Sequence, residues 1–209
     1  MLELAIRFFQ NGGLFMYPIV AVLVLGLAIS IERLMFLRRS QTRNRRLWGD
    51  VVNDIAGGQL QAAREHVSGS DAPLAPVLSM GLERSAAQAP RHDVEMAMEE
   101  ALMEVMPRLE RRTPFIFVFA NIATLLGLLG TIIGLIQGFT AVANVNPAEK
   151  ANLLSASISV AMNTTAFGLM SAIPLLLLHA WLQARTTEVV DALEMTTVKF
   201  LNMIARDAK

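Results

Sequence analysis

The sequence predicts an all-α, polytopic membrane protein with three transmembrane helices, the second and third extended into a cytoplasmic helical bundle. Three observations predict it. Hydrophobic residues fill 54% of the 209 positions and charged ones only 17%, whereas about a quarter of an ordinary soluble domain is charged. The charges are also unevenly spread. No Asp, Glu, Lys or Arg occurs in the 36 residues 113–148 or the 34 residues 151–184, and about 20 apolar residues suffice to cross a bilayer as a helix. A third apolar run, GGLFMYPIVAVLVLGLAISIERLMFL, occupies 12–37 and is interrupted only by Glu32 and Arg33 near its end. As a helix, the longer uncharged run would measure about 54 Å against a hydrocarbon core of about 30 Å. The second and third helices are therefore expected to outrun the membrane.

The elements follow in order. Residues 1–13 read as a short periplasmic N-terminus and 14–37 as the first span. This span is too long for a signal-peptide core, and Arg38 and Arg39 follow it in place of a small-residue cleavage site. Glu32 and Arg33 read as an anchoring pair at its boundary. Residues 38–112 form a cytoplasmic helical segment, broken at Gly57-Gly58 and bent at Pro73 and Pro76. Within it Val94, Met98, Ala101, Leu102, Val105 and Leu109 share one helical face, and Pro107 is expected to kink that helix without ending it. The second span covers 113–141, a short periplasmic connection 142–153, the third span 154–183, and a cytoplasmic C-terminal helix 184–209. In that last helix Val189, Leu193, Val198 and Leu201 mark the apolar face. Orientation follows from the arginines beside the span ends: Arg38, Arg39, Arg43, Arg45 and Arg46, then Arg108, Arg111 and Arg112, then Arg185.

Composition also excludes functions. There are no cysteines, hence no disulfide and no thiolate chemistry. The histidines at 66, 92 and 179 lack ligand spacing, and a net charge of zero offers nothing to nucleic acid. No nucleophile, base or metal cluster converges, so no enzymatic activity and no cofactor are expected.

The spans carry two patterned faces. In the second, Thr124, Gly127, Thr131, Gly134 and Gly138 recur at spacings of three and four, with Gly130 among the small residues of the same span. In the third, Ser157, Ala161, Thr164, Gly168 and Ser171 do the same, with Thr165 and Ala172 adjoining. Small faces let membrane helices approach closely, and helix packing is the reading for Gly127, Gly130, Gly134, Gly138 and Gly168. Thr131 and Thr165 fit packing and a polar pathway lining equally well. Thr124, Thr164 and Asn163 belong with them as lining candidates. Asn163 points about 100° away from Thr164 and could bond between helices or subunits. No side chain within the spans changes charge, except Glu32 and His179 at the margins. Proton relays use an intramembrane carboxylate or histidine, so ion movement with such chemistry would need a titratable group from a partner.

The segments GGLFMYPIVAVLVLGLAISIERLMFL, LLGLLGTIIGLIQGF and TTAFGLMSAIP resemble the three signature segments of the MotA/TolQ/ExbB family. The three-span layout with a large segment after the first span resembles its ExbB and TolQ branch, where MotA-type subunits have four spans. The resemblance implies a homopentamer in the bacterial inner membrane. It encloses a single-span ExbD/TolR-type partner whose intramembrane aspartate meets the moving ion, and it drives work on the envelope, with a TonB-like protein as a further partner. It implies Thr131 and Thr165 as pore-lining threonines, spans two and three around the interior, and the first span facing lipid. TolQ-like envelope maintenance, a motility motor and a non-conducting scaffold stay open. Two positions depart from the pattern: Thr124 stands where proline is common, and Val160 where relatives commonly carry glutamate. The second departure leaves the coupling ion open between H⁺ and Na⁺, since hydroxyl and carbonyl oxygens at Thr131 and Thr165 suit a partly dehydrated Na⁺.

Overall fold

The computed structural model describes residue 9 and residues 12–143 and 145–207. Six helices account for most of them: α1 Met16–Ala56, α2 Leu60–Ser68, α3 Leu74–Ala86, α4 Arg91–Glu110, α5 Thr113–Ala143 and α6 Pro147–Asp207. There is no strand among the described residues. Three helical stretches, Met16–Ala56, Arg91–Ala143 and Pro147–Ile204, are long and apolar enough to cross a membrane. Most of the N-terminal segment 1–13, and the last two residues, lie outside the described residues. The chain forms two compact units, Met1–Ile31 with Arg112–Trp181, and Glu32–Arg111 with Leu182–Lys209.

The second unit is built on stripes spaced at three and four. Along α1 the buried positions are Arg33, Leu37, Ser40, Asn44, Leu47, Val51 and Ile55, a seam that keeps one face of the helix inward. The helix ends where Gly57 and Gly58 turn the chain. Gly58 sits at φ +71°, a left-handed conformation costly to any residue with a Cβ. Asn44 is buried, and its Oδ1 accepts the Leu74 N–H at 3.0 Å. A side chain of α1 thus satisfies one of the orphan donors that open α3. The amphipathic face expected on α4 is the buried one: Val94, Met98, Ala101, Leu102, Val105 and Leu109 are all inside, and Pro107 lies within the helix. Gly81 of α3 sits where a Cβ would come within 2.7 Å of Met98 Sδ and 2.8 Å of Phe200 Cε1, so glycine permits α3 to meet both neighbours.

The C-terminal face differs from expectation in one residue. Val189, Leu193 and Leu201 are buried as expected, but Val198 is 55% exposed, and Thr197 and Phe200 take the inward positions. Helical spacing explains the shift, because four residues after Leu193 comes Thr197. Its hydroxyl donates to the Leu193 carbonyl at 3.1 Å, which removes the cost of burying it.

Glu32 and Arg33 also part ways. Arg33 is 3% exposed, donates to the Leu109 carbonyl, and stacks 4.6 Å from the Phe36 ring centroid. It is a buried tie between α1 and α4 rather than a surface anchor.

The first unit contains most of each apolar run. Its buried stripe on α5 is Thr113, Ile116, Ala120, Ala123, Gly127, Gly130 and Gly138. On α6 it is Ala161, Thr164, Gly168, Ser171, Ala172 and Leu175. The α5 flank carries exposed Leu125, Leu128, Ile132 and Ile136, the apolar surface that hydrocarbon or another chain accepts. α6 begins at Pro147, so helix already covers most of the stretch 142–153 between the second and third apolar runs.

Candidate functional site

The two small-residue faces meet each other. A Cβ placed on Gly127 would lie 3.2 Å from the Gly168 Cα and 3.3 Å from the Thr165 Cα. One on Gly168 would lie 2.7 Å from the Ala123 carbonyl oxygen, and one on Gly134 would lie 3.0 Å from the Ala161 Cβ. Gly130 faces Thr164, and Gly138 faces Ser157. This is backbone-close packing of the kind small residues permit in membranes. It gives all five glycines a packing position within one chain.

Thr131 and Thr165 stand at the edge of that seam, each half-buried. Their hydroxyls hydrogen-bond each other. Thr165 Oγ1 also donates to the Gly127 carbonyl at 2.9 Å, and Thr131 Oγ1 lies 3.2 Å from that oxygen and 3.4 Å from the Ala161 carbonyl. Each hydroxyl has one proton and two lone pairs. With Thr165 donating to Gly127 and Thr131 donating to Thr165, the Thr131 oxygen keeps its acceptor capacity. Two hydroxyl and two carbonyl oxygens therefore converge where no charged side chain stands, and hard cations take such oxygen ligands. Among the described residues no group of three or more His, Asp or Glu could hold a metal ion.

The other threonines are placed differently. Thr164 is 2% exposed. Its hydroxyl reaches the Gly12 carbonyl at 2.5 Å and the Val160 carbonyl at 2.9 Å, tying α6 to the segment ahead of α1. The turn that presents Gly12 passes through Gly13 at φ +73°. Thr124 donates to the Ala120 carbonyl at 3.2 Å, a bond within its own helix. Asn163 is half-buried and has no side-chain hydrogen bond among the described residues. Val160 is half-buried, and its Cγ1 lies 3.3 Å from where a Cβ on Gly13 would be. His179 rests beside Phe117, with ring centroids 5.5 Å apart.

The sequence offered Thr164 beside Thr165 as a lining candidate. The structure separates them: Thr164 is tied to Gly12, whereas Thr165 bonds Thr131 and the Gly127 carbonyl. The burial of Arg33 had no signal at all, since an arginine at the end of an apolar run usually marks a surface.

The fold and this site define a helical membrane protein with a hydroxyl-bearing pair of spans. The sequence matches the MotA/TolQ/ExbB proton channel family over residues 69–195. It is 30% identical to a biopolymer transport protein ExbB homolog of Methanothermobacter thermautotrophicus, covering 91% of this chain and 67% of that one. It is likewise 30% identical to a biopolymer transport protein ExbB-like 3 of Synechocystis, over 79% of each chain. Similarity to the Tol-Pal system protein TolQ of Haemophilus influenzae is 26%, over 86% of this chain and 80% of that one. The chain belongs to the MotA/TolQ/ExbB proton channel family, in its ExbB-like branch.

Proposed function

We propose that this chain is the channel subunit of an ion-driven complex of the bacterial inner membrane, with its N-terminus periplasmic and its C-terminus cytoplasmic. Five copies surround a single-span ExbD/TolR-type partner, and the partner's intramembrane aspartate carries the titratable group that the spans of this chain lack. Ion flow past that aspartate moves the partner and works on the envelope, as in TonB-linked biopolymer transport. The chain itself catalyses no covalent chemistry and needs no cofactor. The names of its relatives support the transport reading, and the arginine distribution supports the orientation.

The observation that carries the proposal is the Thr131–Thr165 hydroxyl pair with its two carbonyls, held in uncharged spans. Such an oxygen set passes a proton along hydroxyls or coordinates a partly dehydrated Na⁺, and Val160 supplies no carboxylate to favour protons. Replacing Na⁺ with K⁺ at fixed pH, in vesicles holding the chain with its partner, separates the two ions. Thr165→Val, which removes a hydroxyl at nearly constant volume, should abolish flux while the complex still assembles. A complex that conducts neither ion, with its other activity indifferent to that substitution, would leave a packing scaffold as the function.

A further inference from the structure

One cavity lies in the second unit, away from the threonine pair. It has a volume of about 600 Å³ and is lined by Arg39 and Arg43 of α1, Arg108 of α4, and the hydroxyl residues Ser40 and Ser70. Glu32 and Asp71 also line it, which leaves a net positive charge. Arg39 and Arg43 are one helical turn apart on the same side of α1, a mildly unfavourable like-charge spacing that an anion against both would relieve. Among the described residues none of the three guanidiniums takes part in an ion pair or hydrogen bond, and Arg39, Arg43 and Arg108 are each exposed along the cavity's lining.

The cavity is also amphipathic along its length. Met35 and Phe36, from the last turn of the first apolar run, line the same space as Arg39 and Arg43. In the sequence, charges resume at Arg38 after that run and stop at Arg112 before the next. The cavity draws its arginines from within a few residues of both switch points. A soluble anion would need the basic wall but has no use for the apolar one.

We propose that this cavity binds the phosphodiester headgroup of an anionic phospholipid. The phosphate lies among Arg39, Arg43 and Arg108, and the acyl-chain end lies along Met35 and Phe36. The headgroup polyol donates hydrogen bonds to Asp71 and Ser70. Guanidinium forks match phosphate oxygens in pairs, and a basic pocket at the headgroup level is the usual form of such recognition.

The test is native mass spectrometry of the full-length chain released from vesicles of phosphatidylglycerol, phosphatidylethanolamine or phosphatidylcholine. Phosphatidylglycerol should be retained about fivefold or more over either zwitterionic lipid, and the joint change Arg39→Gln with Arg43→Gln should lower retention about tenfold. Arg45→Gln with Arg46→Gln, outside the cavity on the same helix, should leave retention unchanged. If circular dichroism shows that the first pair loses helicity, Arg108→Gln alone decides, with an expected drop of about fivefold. Equal retention of the three lipids, equal losses in the two arginine pairs, or release of the lipid by millimolar inorganic phosphate would each overturn the proposal. The last outcome would make the cavity a site for soluble phosphate.

Discussion

Thr131 and Thr165 lie 34 positions apart on different helices, yet their hydroxyls bond directly, and Thr165 also donates to the Gly127 carbonyl at 2.9 Å. One shared carbonyl thus couples the two hydroxyls and both helices. Removing either hydroxyl strands its partner's bond, so the effects should not add. Thr131→Val and Thr165→Val should each destabilise the detergent-solubilised chain, and the double substitution should cost less than the two together. The coupling should be about 0.5–1.5 kcal/mol, the range for interhelical bonds in membranes. Unfolding midpoints of the four proteins measure it, and strict additivity would dissolve the pair.

Gly168 and Gly49 make a matched contrast. A Cβ on Gly168 would press the Ala123 carbonyl oxygen at 2.7 Å and the Gly127 Cα at 3.0 Å, whereas one on Gly49 meets nothing within 4 Å. Backbone atoms cannot swing aside, so Gly168→Ala must part α5 from α6, at about 1–3 kcal/mol. Gly49→Ala, inside α1, should stabilise by up to about 1 kcal/mol through helix propensity. Thermal melts of both variants should move in opposite directions.

Arg33 is a structural cation, and its replacement should be felt as lost stability. Arg33→Met keeps the stem but abandons the Leu109 carbonyl, with an expected loss of about 1–3 kcal/mol. Arg33→Lys should recover only part of it, because an ammonium lacks the planar fork that both bonds the carbonyl and stacks on Phe36. Chemical denaturation of the three proteins checks the order. Wild-type stability in the methionine variant would refute the role.

Val160 is a half-buried residue of α6, at the position where the family resemblance leads one to expect glutamate. Val160→Glu places an acid beside Gly13, whose Cβ direction already points at Val160. If the coupling ion of the wild type is Na⁺, flux in the variant should lose its Na⁺ dependence and gain dependence on pH. Identical Na⁺ and pH responses in both proteins would detach ion choice from this residue.

Much of the fold was legible because it rests on periodicity. The three apolar runs, the inward face of α4 from Val94 to Leu109, and the Gly57-Gly58 break are local facts that a sequence carries in its spacing. The pairing of small faces was half legible: each stripe could be read, but not that Gly127 meets Gly168. What stayed hidden was which polar groups would be buried. Arg33 is inside because the Leu109 carbonyl waits for it, Thr197 because its own helix satisfies it, and Thr164 because Gly12 reaches back across the unit. For Arg33 and Thr164 the polar group is tolerated by an atom that no window around it contains, whereas Thr197 is satisfied four residues back in its own helix.

Thr164 and Thr165 are the same residue type, one step apart, and they hold different bonds. The first joins α6 to the carbonyl of Gly12; the second joins it to α5. A scan that replaces each in turn therefore carries its own internal control. Loss at 164 should register as less protein in the membrane, and loss at 165 as a silent complex at normal abundance, so a single expression blot beside a flux trace tells architecture from transport.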